Sequence, residues 1–230
     1  MRYIAAVLLE GFYASILPRA GGTPVVVHRD RKVLDACAIA LERGVAVGMP
    51  LPEARAILGG EGHVVAWEEE PYRGAQRRWL RIVSEYSDVV EPLRQHEALV
   101  DLSGHPRPRE AAARMEEALT DRLGLKARVG VAACRWVARL AARQGDPLGL
   151  AHSDPASYVA SLPVHRLPIE PRQADTLRLL GYRTASDVAR LDAAILRSQF
   201  DAEALGIETA VRGAGEGNVR PLFPPGSAAG

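Results

Sequence analysis

Cysteine is almost missing from this sequence: Cys37 and Cys134 are the only two among 230 residues. They stand far apart in stretches of small or apolar residues, so no spacing supports a disulfide or a metal site. We predict that both are buried, reduced thiols. Reduced thiols are typical of a reducing compartment, which favours a cytoplasmic location.

A charge excess and long apolar runs are lacking as well. The 29 Lys and Arg residues nearly balance the 28 Asp and Glu residues, so the formal net charge is +1. Overall charge therefore does not indicate nucleic acid, and a DNA-binding role needs a local basic face. The apolar run over 3–9 is interrupted by Glu10 and is too short for a membrane span or a typical signal peptide, so it predicts a buried β-strand.

The elements that are present predict an α+β fold. Strands are predicted over residues 3–9, 24–28, 64–67, 89–92, 98–102 and 127–132. Helices are predicted over residues 11–17, 33–43, 48–58, 71–86, 107–123 and 134–144. The insertion after the first strand is expected to be all-helical, and residues 157–212 are expected to form a small domain of short helices.

Five sequence motifs follow one another in a specific order. They are "FYAS" (12–15), "GVAVGMPLPEA" (44–54), "YSDVVEP" with "HEALVDLSG" (86–92, 96–104), "VGVAACRWVARLAA" (129–142), and "LPVHRL" with "LRLLGYRTASDVARL" (162–167, 177–191). In this order they resemble the Y-family, or translesion, DNA polymerases over nearly the whole chain.

This resemblance implies a right-hand polymerase core with a ferredoxin-like palm, small inserted fingers and a helical, helix-hairpin-helix-like thumb. The corresponding ranges are 1–14 and 68–155 for the palm, 15–67 for the fingers, 156–212 for the thumb, and 213–230 for a Gly/Pro-rich tail or linker. The family also has a fourth module, the little finger, after the thumb, and we expect none within these 230 residues.

The resemblance also implies where catalytic carboxylates would stand. Phosphoryl transfer by two metals needs clustered carboxylates that hold the cations about 3.5–4 Å apart. The family positions of these three acids fall on Leu8, His96 and Glu97, so only Glu97 is acidic. We therefore expect no intact catalytic site, no bound metal and no cofactor. An alternative is an altered set, Glu10, His96 and Glu97, that binds manganese, magnesium or zinc and supports nucleotidyl transfer.

The positions that contact the substrate triphosphate in the family are degenerate too. They fall on Ala38, Leu41 and Asp146, which are two apolar residues and an anion, although Arg143 lies three residues from Asp146. A carboxylate near a triphosphate is repulsive. Tyr13 stands at the position of the ring that excludes ribonucleotides in the family, and we interpret it and Phe12 as core aromatics.

The residues that would bind metal and triphosphate are replaced in several separate motifs. This pattern indicates a protein that has the fold of the family but not its catalytic activity. Among Y-family relatives this pattern is most similar to the ImuB-like non-catalytic members, which act as adaptors in induced (SOS) mutagenesis and translesion DNA repair. By resemblance, the partners would be the sliding clamp, an error-prone polymerase and a RecA-like protein. Leu222 and Phe223 are either a clamp-binding ending or part of a linker.

DNA contact is the remaining question. In a helix-hairpin-helix the turn presents backbone N–H groups to a phosphate, but here Pro168 has no N–H and Glu170 is anionic. The second turn, over 180–188, matches the family pattern more closely. There Gly181 turns the chain, and Thr184 or Ser186 caps the next helix. Candidate phosphate contacts are Arg135, Arg139, Arg172, Arg178 and Arg183. The alternatives are that these arginines are solvated helix faces, and that the chain is a protein-interaction domain with no DNA role.

Overall fold

The computed structural model describes residues 2–17, 22–145, 150–215 and 217–221. Asp146, Leu222 and Phe223, which were singled out in the sequence, lie outside the described residues. None of the helices in these ranges is both long and apolar enough to cross a membrane.

Strands in the described ranges build two sheets. They are β1 (Ile4–Leu9), β2 (Val25–Arg29), β3 (Lys32–Ala36), β4 (His63–Ala66), β5 (Val90–Arg94), β6 (Glu97–Asp101) and β7 (Ala127–Ala132). The larger sheet has the order β5-β6-β1-β7, and the smaller one has the order β3-β2-β4. Every pair in the larger sheet is antiparallel, and β1 is a central strand as predicted.

The helices of the described ranges are α1 (Phe12–Ile16), α2 (Ala38–Glu42), α3 (Leu51–Leu58), α4 (Glu70–Val83), α5 (Pro108–Leu123), α6 (Arg135–Gln144), α7 (Leu150–Ser153), α8 (Pro155–Val159), α9 (Pro171–Leu179), α10 (Ala185–Ala189), α11 (Ala193–Phe200) and α12 (Ala204–Val211). The three longest helices of the described ranges, α4, α5 and α6, all lie before residue 145.

Both faces of the larger sheet are covered by packed side chains. Successive side chains of β1 point to opposite faces and belong to two different apolar clusters. Ala5 and Val7 face a cluster that contains buried residues of α4 and α5. Ile4 and Ala6 face a second cluster, formed with α6 and the thumb helices. The backbone of α6 lies directly on β7 at Gly130, where an added Cβ would stand 2.0 Å from the Ala142 nitrogen. This close approach fixes the height of α6 above the sheet.

The prediction of an all-helical insertion is wrong, because this segment contains the three-stranded sheet, in which β2 and β4 agree with the strands predicted over 24–28 and 64–67. The helix predicted over 33–43 is a strand, β3, followed by the five-residue helix α2. Strands β2 and β3 form a hairpin through Asp30 and Arg31, which have φ angles of 51° and 61°. A two-residue turn with both φ angles positive usually carries Asn-Gly or Gly-Gly, so Asp-Arg hid the hairpin.

The thumb turn at Gly181 agrees with the prediction. Gly181 has a φ of 93°, a conformation that residues with a side chain rarely adopt. Of the two cap candidates, Thr184 is the N-cap of α10: its side chain accepts a hydrogen bond from the Asp187 N–H, and the Asp187 carboxylate accepts one from the Thr184 N–H. Glu170 caps α9 in the same reciprocal way with Gln173. The charge of Glu170 therefore serves the start of a helix.

Both cysteines are buried and free, as predicted. Cys37 is the N-cap residue of α2 in the fingers, and Cys134 holds the same position at α6 in the palm. Burial raises the pKa of the Cys134 thiol, although hydrogen bonds from the backbone of Val137 and Trp136 oppose this. A thiol with a raised pKa is a poor nucleophile, so Cys134 behaves as a small apolar side chain.

Candidate functional site

Leu8 stands in the middle of the palm sheet, at the position where the first catalytic carboxylate was expected. It pairs across β1 with Glu97 of β6 on one side and with Arg128 of β7 on the other. Cross-strand partners point to the same face of a sheet, so these three side chains share the face that carries α6. A leucine side chain has no atom that binds a metal ion or donates a hydrogen bond.

Glu97 is buried, with 2% of its surface exposed, and two arginines of α6 hold it. Arg139 donates from Nε to Oε1 at 2.6 Å and from Nη2 to Oε2 at 3.0 Å, and Arg143 donates from Nη2 to Oε1 at 3.1 Å. The two arginines are four residues apart and therefore lie on one face of the helix. Burial raises the pKa of the Glu97 carboxyl, but the hydrogen bond and charge of Arg139, with the charge of Arg143, outweigh this effect and lower the pKa. Glu97 is therefore an anion whose charge is already compensated by guanidinium groups.

His96 lies in the turn between β5 and β6 and touches Tyr13. Its Nδ1 atom is 3.0 Å from the Tyr13 hydroxyl, and the two rings meet nearly edge to face. The pKa of His96 is lowered to about 4, chiefly by burial; the charge of Glu97 opposes this shift, and the charges of Arg94 and Arg143 add to it. The imidazole is therefore neutral near pH 7. This hydrogen bond gives His96 a structural role, which the sequence did not predict.

Tyr13 and Phe12 are core aromatics, as predicted. Tyr13 has 6% of its surface exposed and Phe12 has 2%. The ring of Tyr13 packs edge to face on Phe12 and on Tyr72, at centroid distances of 5.3 and 4.9 Å. Burial raises the pKa of the Tyr13 phenol to about 12. Tyr13 and His96 thus form a neutral pair beside the compensated Glu97.

The carboxylates do not form a magnesium site. Glu10 belongs to a separate ion cluster, where it contacts Arg128 and lies 3.3 Å from the Lys126 ammonium. Magnesium requires near-octahedral oxygen ligands, whereas this sheet face offers Leu8, a neutral imidazole and a carboxylate held by arginines. Across the described ranges, no three His, Cys, Asp or Glu side chains come together as a group that would hold a metal ion. The residues present therefore do not fit the two metals that the resemblance implies.

The fingers positions at the expected triphosphate site lie on α2. Ala38 is the first residue of that helix and is exposed, and Leu41 has 47% of its surface exposed. Neither side chain can bind a phosphate oxygen. Asp35, in β3, was missed by sequence reasoning because its segment was predicted to be helical. It is 8% exposed and accepts hydrogen bonds from the Ala14 and Ala36 N–H groups, so it ties the fingers sheet to α1.

Most of the arginines proposed for DNA contact are engaged by carboxylates. Arg135 forms two hydrogen bonds with Glu91, at 2.5 and 2.7 Å, and also donates to the Asn218 carbonyl. Arg172 contacts Glu203, and Arg139 is held by Glu97 as described above. The structure therefore gives these arginines internal partners, and their contact with DNA stays a prediction.

Arg178 and Arg183 lie together on the thumb. They line an open groove of about 780 Å³, beside the turn at Gly181, with Pro163, His165, Asp175 and Leu179. Arg178 is 3.5 Å from Asp175, and both of these side chains are largely exposed. In the described residues, the Arg183 side chain has no carboxylate within 4 Å. We call this surface the thumb groove.

Comparison with known proteins agrees with this architecture. The family model described as "IMS: impB/mucB/samB family" matches residues 7–143, which is more than half of the chain. The chain belongs to the impB/mucB/samB family. Solved structures share its fold: a chain described as "Dbh Ternary Complex (substrates partially disordered)" superposes with a TM-score of 0.75 at 20% identity, covering 95% of this chain and 69% of that one. Another chain, described as "Y-family DNA polymerase chimera Dbh-Dpo4(243-245)-Dbh", superposes with a TM-score of 0.75 at 21% identity and the same coverage.

Curated relatives of this impB/mucB/samB family member carry the name DNA polymerase IV. The protein from Halorhodospira halophila is 31% identical over 96% of this chain and 66% of its own length. The protein from Methanoculleus marisnigri is 28% identical over 95% of this chain and 66% of its own length. The chain thus spans just under two thirds of these relatives. The predicted Y-family membership and right-hand α+β fold are confirmed.

We predict that His96 makes folding stability depend on pH. The unfolded chain protonates His96 near pH 6.5, whereas the folded protein does so near pH 4. The folded state disfavours the charged imidazole. The contribution of His96 to the free energy of unfolding is therefore fully present above pH 6.5 and is lost as the pH falls towards 4. The check is urea unfolding of the parent and of His96→Gln at pH 7 and at pH 4.5. Between these pH values the free energy of unfolding should fall by about 2–3 kcal/mol more in the parent than in the variant.

The matched control is His63→Gln, because His63 is exposed on β4 and the same substitution there removes no buried imidazole. An equal loss in parent and His96→Gln would contradict the prediction.

Proposed function

We propose that this chain is a catalytically inactive Y-family polymerase-like protein of DNA repair and damage tolerance. In this role it binds primer-template DNA weakly, or binds other proteins, as an adaptor. The single observation that carries the proposal is the state of Glu97, which is the one acid left at the expected metal positions and is bound by two arginines. Leu8 and a neutral His96 occupy the other two positions.

The pattern of retained and altered features supports this proposal. The packing residues of the fold remain, as the buried Tyr13 and the Gly130 contact illustrate. The groups that would bind metal and triphosphate are replaced by apolar or internally paired side chains. A similarity to ImuB-like adaptors fits this pattern, and partners such as a sliding clamp, an error-prone polymerase or a RecA-like protein belong to the proposal.

The alternative of an altered metal set has less support. It requires Glu10, His96 and Glu97 to act together, yet Glu10 contacts Arg128 and Glu97 contacts Arg139. Two ion pairs would have to break before those carboxylates could share a cation. A domain with no DNA role remains the third outcome, and DNA binding decides between it and the proposal.

DNA binding is tested with a fluorescent primer-template duplex over a series of salt concentrations. We expect weak binding whose logarithm falls linearly with the logarithm of salt, with a slope of about −0.9 for each phosphate contacted. Arg183→Gln should reduce this slope by about 1, because Arg183 lines the thumb groove without a carboxylate partner in the described ranges.

Arg81→Gln is the matched control, because Arg81 is exposed on α4, a helix of the opposite sheet face. It should leave affinity and slope unchanged. Absence of parent binding even at low salt would contradict the DNA-binding part of the proposal and favour a protein-interaction domain.

A further inference from the structure

The sheet face around Glu97 carries more positive than negative charge. Glu97 supplies one negative charge, and Arg139 and Arg143 supply two positive ones. Arg94 adds a third, since it stands opposite Glu97 in the register of β5 and β6. His96 contributes no charge near pH 7. Glu97 is thus paired with two guanidinium groups, and a third arginine stands opposite it on the neighbouring strand.

Two of these arginines have donors to spare. A guanidinium has five N–H donors. Arg143 uses one of its nitrogens, Nη2, to reach Glu97, and its side chain is 48% exposed. Arg94 is exposed, and among the described residues no carboxylate lies within 4 Å of its side chain. Solvent therefore reaches N–H donors of both arginines.

Glu97 holds this arrangement in place. Its carboxylate binds Arg139 through both oxygens, so that guanidinium is fixed on α6. The same carboxylate restrains Arg143, one helical turn further on. A guanidinium that is held in position loses less conformational freedom when it binds a planar or tetrahedral anion.

We propose that Arg94 and Arg143 form a phosphate-binding site that works without a metal ion, and this inference rests on the function proposed above. Arginine pairs with phosphate through two parallel N–H donors, and the spare donors of these two residues suit that geometry. Guanidinium groups supply the positive charge in the place where the family resemblance implies metal ions. The ligand is a phosphate group of DNA or of a free nucleotide.

Metal independence follows from the local charge. A divalent cation beside Glu97 is repelled by the guanidinium groups of Arg139 and Arg143, and the carboxylate that would attract it is already paired with both. A phosphate is attracted by the same groups. Chelation of divalent cations is therefore expected to leave phosphate binding intact.

The experiment uses the full chain in EDTA with two probes, a fluorescent primer-template duplex and a fluorescent nucleoside triphosphate. The variant is Arg94→Gln/Arg143→Gln, which keeps the Arg139 pair with Glu97. The matched control is Arg77→Gln/Arg81→Gln, which removes two exposed arginines of α4. Circular dichroism and thermal unfolding verify that each variant is folded.

We expect the Arg94→Gln/Arg143→Gln variant to weaken binding of at least one probe about tenfold and, for DNA, to reduce the salt slope by about 1 to 2. The control should match the parent. An effect on the duplex alone identifies a backbone phosphate as the ligand, and an effect on the nucleotide identifies a free triphosphate. Either result supports the site.

Three results would overturn the phosphate site. They are equal binding by parent and variant, binding that requires added magnesium, and no binding of either probe by the parent. Equal binding of the duplex leaves the proposed function standing, because DNA contact then resides elsewhere, as on the thumb groove. Nucleotide binding that depends on the two arginines, without duplex binding, supports the site while the DNA-binding role fails.

Discussion

Templated primer extension by the purified chain in magnesium is expected to be undetectable, roughly 10⁴-fold or more below that of an active polymerase, which is the order of loss when essential catalytic groups are removed. Two of the three expected metal-binding acids are Leu8 and His96. The third, Glu97, has its oxygens occupied by Arg139 and Arg143. No oxygen cluster is left to hold the cations that stabilise the transferred phosphoryl group.

The assay needs a control of the same span. We would use the Halorhodospira halophila DNA polymerase IV cut to the matching region, since it aligns over 96% of this chain. Extension by that segment shows that the assay detects activity without the remaining third of the protein. Manganese is tested alongside magnesium, because the altered metal set includes the imidazole of His96, a ligand that suits softer metal ions than magnesium. Extension that disappears in Glu97→Ala would contradict the proposal and support that alternative.

Restoring the acids is not expected to restore synthesis. The double variant Leu8→Asp/His96→Asp supplies two carboxylates beside Glu97, but Arg139 and Arg143 stay in place to pair with them. Ala38 and Leu41 still offer no donor to a triphosphate. Isothermal titration with manganese distinguishes a defect in metal binding from a defect in substrate binding. If the double variant binds manganese but does not extend the primer, the remaining defect lies in the contacts with the triphosphate.

Glu97→Ala is expected to destabilise the folded chain by about 3 kcal/mol, the lower end of the cost of breaking a buried ion pair. The change leaves Arg139 and Arg143 against one another without the carboxylate that both contact. Their side chains are 30% and 48% exposed, so water screens part of the repulsion and the cost stays at that lower end. For a chain of this length the melting temperature should fall by roughly 6–12 °C.

Glu61→Ala is the matched control for this stability measurement. Glu61 pairs with Arg43 at 3.0 Å, but its side chain is 72% exposed. Removal of an exposed partner is expected to cost about 0–1 kcal/mol. A Glu97→Ala variant no less stable than Glu61→Ala would show that the Glu97 network does not hold α6 on the sheet.

The ion pairs of α6 explain why the sequence alone could not show which arginines are free to contact DNA. Arg135 and Arg139 were interpreted as candidate DNA contacts because the resemblance places them at family positions that carry lysine. Their position on α6 was correct, but the sequence does not reveal that Glu91 and Glu97, more than 40 residues away, reach them. Long-range ion pairs depend on strand register and on the distance between helix and sheet, and neither is encoded in a local pattern.

Helix prediction in the fingers failed for a related reason. Residues 33–43 contain enough apolar positions for a helix, and the hairpin turn at Asp30 and Arg31 lacks the glycine that would have marked it. Pairing with β2 and capping of α1 by Asp35 hold this segment extended. Tertiary contacts thus overrode a local propensity of a few tenths of a kcal/mol per residue.

By itself the sequence determined the fold class, the central strand β1, the buried cysteines, the turn at Gly181 and a hydroxyl cap at Thr184 or Ser186. These follow from local signals, namely apolar runs, glycine with positive φ and a hydroxyl at the start of a helix. The family resemblance also predicts that Leu8 and His96 stand where the family has acids. Only the tertiary structure decided that Glu97 is paired with two arginines and that Arg94 and Arg143 keep spare donors. The reason is physical: the charge state of a carboxylate and the partners of a guanidinium depend on which groups the folded sheet and helix bring within hydrogen-bond distance.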